Sequence, residues 1–149
     1  GMAQASLVAG LAVGISDVSG CHCLAESIGA VYDHPHGICC AATMPVIMEY
    51  NLPVSAPKYA RLAAAFGIAT SGHEDASSGE REAARRAIAY VRRLNEALKI
   101  PPLHELIKAD DLDLLAQKAA ANTSAPSNPR EAGAAEFRAM FEQALTANH

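Results

Sequence analysis

The sequence predicts an all-α fold. No segment alternates apolar and polar residues over the length of a strand, alanine is abundant throughout, and apolar residues recur three and four apart in most stretches. At 149 residues the chain reads as one domain, residues 1–149, able to remove about 70% of its unfolded surface from water. A net charge of −4, with Lys and Arg scattered among acids, offers no basic stripe to a phosphate backbone, so no nucleic-acid partner is expected. The longest apolar run, Leu7 to Ile15, is too short for a bilayer and carries no basic flank with a cleavage site. A soluble, cytoplasmic protein with no membrane partner is therefore expected. Gly1 before Met2 reads as the remnant of a cleaved tag.

The elements follow in order. Residues 3–16 are apolar nearly all round, which predicts a buried helix, with Gly10 and Gly14 able to admit a neighbouring backbone. A second helix is expected from Asp17 to Tyr32, interrupted by His34-Pro35 because the residue before a proline is pushed out of the helical region. A third, Ile38 to Tyr50, carries Met44, Ile47 and Met48 and stops before Asn51-Leu52-Pro53. A separate helix follows, with Tyr59, Leu62, Ala63 and Phe66 on one face and Gly67 as its C-terminal cap. Residues 68–79 form a loop, in which His73 is expected to be solvated. Ser78 is placed to cap a helix that buries Ala84, Ala87, Ile88, Val91, Leu94 and Leu98 while Arg85, Arg86, Arg92 and Arg93 face water. Pro101-Pro102 ends it. A short helix around Leu103–Ile107, another from Asp110 to Ala121, and a last one after Asn128-Pro129-Arg130 burying Phe137, Met140, Phe141 and Leu145 complete the chain.

The side chains with chemistry concentrate between residues 21 and 40. Cys21, Cys23, Cys39 and Cys40 form two close pairs in a chain without export signals, so reduced thiols are expected. With His22, His34 and His36 they make a Cys/His cluster, yet C-x-C and C-C are not the knuckle spacings of structural zinc sites, and Cys39 and Cys40 read as small core residues. His22 and Glu26, four apart, share a helix face one turn from each other, and imidazole with carboxylate suits zinc or ferrous iron. His36 follows a proline just beyond the helix end. Two readings are open on spacing alone: a metal site joining helix to loop, or a hydrogen-bonded core histidine beside a polar loop.

The stretch His22-Cys-Leu-Ala-Glu26-Ser-Ile-Gly29-Ala-Val-Tyr32-Asp-His-Pro35-His36-Gly37, followed by Met44-Pro45-Val-Ile-Met48-Glu49-Tyr50-Asn51, resembles the C-terminal domain of the iron-containing alcohol dehydrogenases, within the dehydroquinate synthase-like superfamily. The resemblance extends through Ala60–Gly67 and Ile100-Pro101 to Asn128-Pro129-Arg130. It implies a multihelical fold and an oxidoreductase interconverting alcohols with aldehydes or ketones, using NAD(P) and iron or zinc held by one Asp and three His. His22 and His36 match the last two ligand positions. The Asp and first His lie, in the family, upstream of Gly1, as does the nucleotide-binding α/β domain. Glu26 matches a position near the nicotinamide that carries histidine in many members, which implies a polar role beside the metal rather than on it. Ser124 stands where some members place a cysteine lining the cofactor cleft. The resemblance thus implies half an active site, inactive alone. The expected partners are a separate N-terminal nucleotide-binding chain or further copies of this one, associating through the cleft wall that the absent domain covers, with a metal shared between copies as one form of that assembly. The alternative is a stand-alone helical binding module.

Overall fold

The computed structural model describes residues 1–68 and 76–146. Seven α-helices are present among them, and no strand: α1 (Met2–Ser16), α2 (Gly20–Tyr32), α3 (His36–Ala65), α4 (Ala76–Ala97), α5 (Leu103–Leu106), α6 (Leu112–Ala120) and α7 (Ala134–Thr146). Single 3₁₀ turns at Ala109–Asp111 and Ala125–Ser127 flank α6. The all-α expectation holds. His73 and most of the predicted 68–79 loop lie outside the described residues.

The long α3 organises the rest. Its first half packs on α2, its length on α4, and α6 bridges α2 to α7. The main core joins Leu24 and Ile28 of α2, Cys39 and Ile47 of α3, Leu103, Leu115, and Phe137 and Phe141 of α7. A smaller core of Ala63, Ala83 and Ala87 closes the far end between α3 and α4, where Phe66 and Tyr90 stack with centroids 4.4 Å apart.

The sequence predicted two helices where one runs. Residues 36–65 form a single α3 that contains Pro45, Pro53 and Pro57. A proline withholds the N–H that its i−4 carbonyl needs. At Pro45 that carbonyl belongs to Ala41, and Asn95 of α4 supplies the missing donor, Nδ2 to Ala41 O at 2.7 Å. A break in the ladder is thus repaired from a neighbouring helix. The end of α3 is as expected: Gly67 takes φ 73°, and its N–H and that of Ile68 donate to Ala64 O and Ala63 O, each at 3.0 Å, closing a Schellman turn.

Four further expectations need correction. Helix α1 was expected to be buried, but none of its residues is, with Leu7 66% and Ile15 90% exposed. Nothing lies within 4 Å of a Cβ built on Gly10 or Gly14. An all-round apolar helix needs cover on several sides, and the described residues provide none. In α4, Ala84, Ala87 and Ile88 are buried, but Leu94 and Leu98 stand 42% and 62% exposed. At that level Asn95 rather than either leucine meets α3. Ser78 lies within the first turn of α4 rather than before it, because the helix starts at Ala76. Arg92 is not simply solvated: its Nη2 meets Glu49 Oε1 of α3 at 2.6 Å.

A polar knot holds α2, α3 and the segment after α6 in register. Asn51 and Asn128, both buried, exchange amide hydrogen bonds at 2.9 and 2.8 Å. Gly20 N–H donates to Asn128 Oδ1 at 3.3 Å, and Asn128 Nδ2 also reaches Arg130 O. Arg130 in turn donates to Tyr50 O at 2.9 Å and lies 4.1 Å over the Tyr50 ring. The knot leaves no room at the start of α2, where a Cβ on Gly20 would sit 2.6 Å from Ile47 Cδ1.

Candidate metal centre

His22 sits in the first turn of α2 and His36 opens α3. Between them Asp33 takes a left-handed conformation (φ 57°) that ends α2, and Pro35 sets the direction in which α3 begins. This reversal folds fourteen residues back on themselves, so the imidazoles face each other with centroids 5.2 Å apart, tilted by 48°. Two imidazoles sharing a tetrahedral ion at 2.0–2.1 Å from each nitrogen have centroids about 5 Å apart. The pair fits two corners of a metal site. His22 is half-buried and His36 exposed, so one wall is protein and the other is open.

Glu26 lies one turn beyond His22 on α2, exposed, with Oε2 accepting from Asn122 Nδ2 at 2.6 Å. Asn122 Oδ1 accepts from Ser124 N–H at 2.9 Å. Ser124 is buried, and its hydroxyl donates to Asp17 Oδ1 at 3.1 Å, while Ser127 donates to Asp17 Oδ2 at 3.0 Å. Hydrogen bonds from Val18 N–H, Ser127 and Ser124, aided by the positive field of His22, hold the Asp17 carboxyl below its ordinary range. The structure therefore gathers His22 and His36 directly, and ties Glu26 and Ser124 to the same rim through Asn122. His34 lies elsewhere, its Nε2 3.2 Å from Leu106 O.

Asp17 and Asn122 were missed by the sequence reading, because neither has a telling spacing to His22. Cys40 packs against the main core as expected, but unlike the fully buried Cys39 it is half-buried, with Sγ 3.4 Å from His36 Nε2. Its signal was the four-residue step from His36. Cys21 is buried, its Sγ donating to Cys40 O at 3.5 Å and lying 3.6 Å from Thr43 Oγ1. The Cys40 thiol beside it holds Cys21 below the ordinary thiol value, and the same contact together with burial pushes Cys40 up. Cys23 is pushed up to about 11 by burial and by Glu26. All four cysteines are free thiols.

A groove lined by Pro45, Glu49, Arg92, Asn95 and Gln143 lies between α3, α4 and α7. It shares no residue with the histidine site.

A sequence profile of the Fe-containing alcohol dehydrogenase family, C-terminal, matches residues 1–145. The 1,3-propanediol dehydrogenase of Klebsiella pneumoniae is 35% identical over 97% of this chain, and lactaldehyde reductase of Escherichia coli 30% identical over 96%. The solved alcohol dehydrogenase from Oenococcus oeni superposes with a TM-score of 0.84 at 32% identity, over 96% of this chain and 37% of that one. The chain spans 36% and 37% of the length of the two curated relatives. Family profile, relatives and superposed helices agree: the chain belongs to the Fe-containing alcohol dehydrogenase family and corresponds to its C-terminal part.

Proposed function

We propose that these 149 residues are the metal-holding half of an NAD(P)-dependent alcohol or aldehyde oxidoreductase, with His22 and His36 as two ligands of an iron or zinc ion. The observation that carries this is the facing pair of imidazoles, 5.2 Å apart, built from the His…Pro-His-Gly spacing. When bound, the cation would act as a Lewis acid on the substrate oxygen. The chain's own residues supply the orientation. The Asn122 amide fixes the Glu26 carboxylate one turn from His22, and Ser124 and Ser127 pin the Asp17 carboxylate on the same rim. Ser124 lies on the rim where a cofactor would pass, its hydroxyl already committed to Asp17. The nicotinamide-binding fold and the remaining ligands come, in this reading, from outside these residues, in the rest of a longer polypeptide or in a separate nucleotide-binding chain. Neutral imidazole serves zinc and ferrous iron alike.

The test is elemental analysis of the purified chain beside a His22→Ala, His36→Ala double variant. Metal near one equivalent, lost in the variant, is expected; a metal-free chain after growth in iron and zinc, with none taken up on addition, overturns the reading. In the same preparation NADH should not be oxidised by small aldehydes with added iron or zinc. Turnover would sink the claim that the chain is half a machine.

A second reading, assembly through copies of this chain, is favoured by α1, which bears Leu7, Val8, Leu11 and Ile15 in the open. Contiguous apolar surface of this kind finds partners. The His22–His36 pair would then be available for a metal shared between copies. Light scattering should report a mass above that of one chain, falling to the monomer in a Leu7→Glu, Leu11→Glu variant; a monomeric parent chain refutes it. The four free thiols support a reducing, cytoplasmic setting for such an assembly.

A further inference from the structure

We infer that Cys21 and Cys40 form a peroxide-sensitive thiol pair, which a hydroperoxide converts into a disulfide joining the start of α2 to α3. Neither imidazole takes part, and no metal is needed. The Sγ atoms of Cys21 and Cys40 lie within 4.8 Å of each other, in a chain whose four cysteines are all free thiols. A disulfide needs its sulfurs about 2.0 Å apart, and one rotamer step carries a cysteine sulfur by about 3 Å. Rotation about the Cα–Cβ bonds therefore closes the gap. The two backbones are near as well, because Cys21 Sγ already donates to the main-chain oxygen of Cys40 at 3.5 Å.

The other two cysteines do not share this contact. Cys23 and Cys39 are fully buried, and the Cys39 sulfur turns back to His34 O at 3.9 Å. Neighbouring positions on a helix differ by about 100°, so Cys39 and Cys40 face different ways. The bond thus draws one cysteine from each helix and closes a loop of chain rather than a strained ring between adjacent residues. The two members also differ in access: Cys40 is half-buried, whereas Cys21 is 6% exposed, with its sulfur 3.6 Å from Thr43 Oγ1. A hydroperoxide therefore meets Cys40 first. With hydrogen peroxide as the oxidant, the Cys40 thiol becomes a sulfenic acid and one water leaves. The Cys21 sulfur then displaces the hydroxyl, the S–S bond forms, and the hydroxyl departs as a second water with the Cys21 proton. Two thiols give up two electrons and two protons, and one peroxide becomes two waters. A partner so close also spares Cys40 from the irreversible sulfinic state.

The test treats the 149-residue chain, reduced, freed of reductant and held with a chelator, with a few equivalents of hydrogen peroxide. Two of its four thiols should be lost to titration, the mass should fall by two hydrogens, and dithiothreitol should restore both. Non-reducing electrophoresis should still show a single chain. Proteolysis after Glu26, which lies between Cys21 and Cys40, should leave the two fragments joined until they are reduced. The loss of two thiols should vanish in Cys40→Ser and in Cys21→Ala, and persist in Cys23→Ala. Circular dichroism checks that each variant retains its helices. Cys40 is half-buried, so Cys40→Ser decides the matter even if Cys21→Ala unfolds. Four thiols surviving the peroxide, oxygen added to Cys40 with no bond made, a bond between chains, or a bond that still forms in Cys40→Ser each overturns the pair. The metal reading is untouched by any of these results, since elemental analysis decides it separately.

Discussion

Phe137→Ala is expected to destabilise the chain by about 3–5 kcal/mol, the range found when a fully enclosed aromatic ring is truncated. Phe137 has no exposed surface and sits in the main core. α7 carries it against α6, and α6 in turn packs on α2. The loss combines the apolar area returned to water on unfolding with a cavity that the surrounding helices cannot fill. Set against a total stability of about 5–15 kcal/mol, it would lower the thermal midpoint by about 10–15 °C. Phe137→Leu, which leaves less of a void, should cost under half as much. Equal midpoints for the alanine variant and the parent, followed by far-ultraviolet dichroism, would mean that α7 does not hold the core together.

Asn128→Ala should cost about 3 kcal/mol through a different route. The substitution removes one amide but strands several groups: both ends of the Asn51 amide, the Gly20 N–H and Arg130 O. Each buried polar group left without a partner costs about 1–3 kcal/mol, although backbone groups near the surface recover water. A double-mutant cycle separates this from lost packing. Once Asn128 is alanine, replacing Asn51 with leucine removes stranded groups rather than a bond, so the second step should be nearly free. Additive losses in denaturant titration would refute the reciprocal pairing.

Helix content and most boundaries were legible because they rest on local spacing. The two largest failures are tertiary. Three prolines in α3 argue locally for a break, and only the donor from Asn95, more than fifty residues later, lets the helix pass Pro45. Helix α1 reads as buried because its apolar residues occupy every side, yet burial depends on a surface to pack against. In the site, His22 and His36 were visible because both lie on one short reversal of the chain. Asp17, Asn122 and the Cys21–Cys40 pairing were not, since each depends on distant elements meeting: the 122–127 segment on α2, and α2 on α3. The contact of Cys40 with His36 was hidden for a related reason. In sequence Cys40 belongs to an apolar run beside Cys39, but one residue turns a helix by about 100°, enough to take one sulfur into the core and the other to the histidines.

The asparagine knot also bears on how the molecule ages. Asparagine side chains in proteins are lost to aspartate chiefly when the backbone nitrogen of the next residue attacks the amide carbon and expels ammonia. Such a change at position 128 would place a carboxylate opposite Asn51 Oδ1 and abolish the donor to Arg130 O. The residue after Asn128 is Pro129, whose nitrogen carries no hydrogen and cannot close that ring. At position 51 the attacking nitrogen would belong to Leu52, fixed within α3. The pair on which the register of three segments depends is therefore shielded from its own commonest route of chemical decay, on one side by bond structure and on the other by the helix.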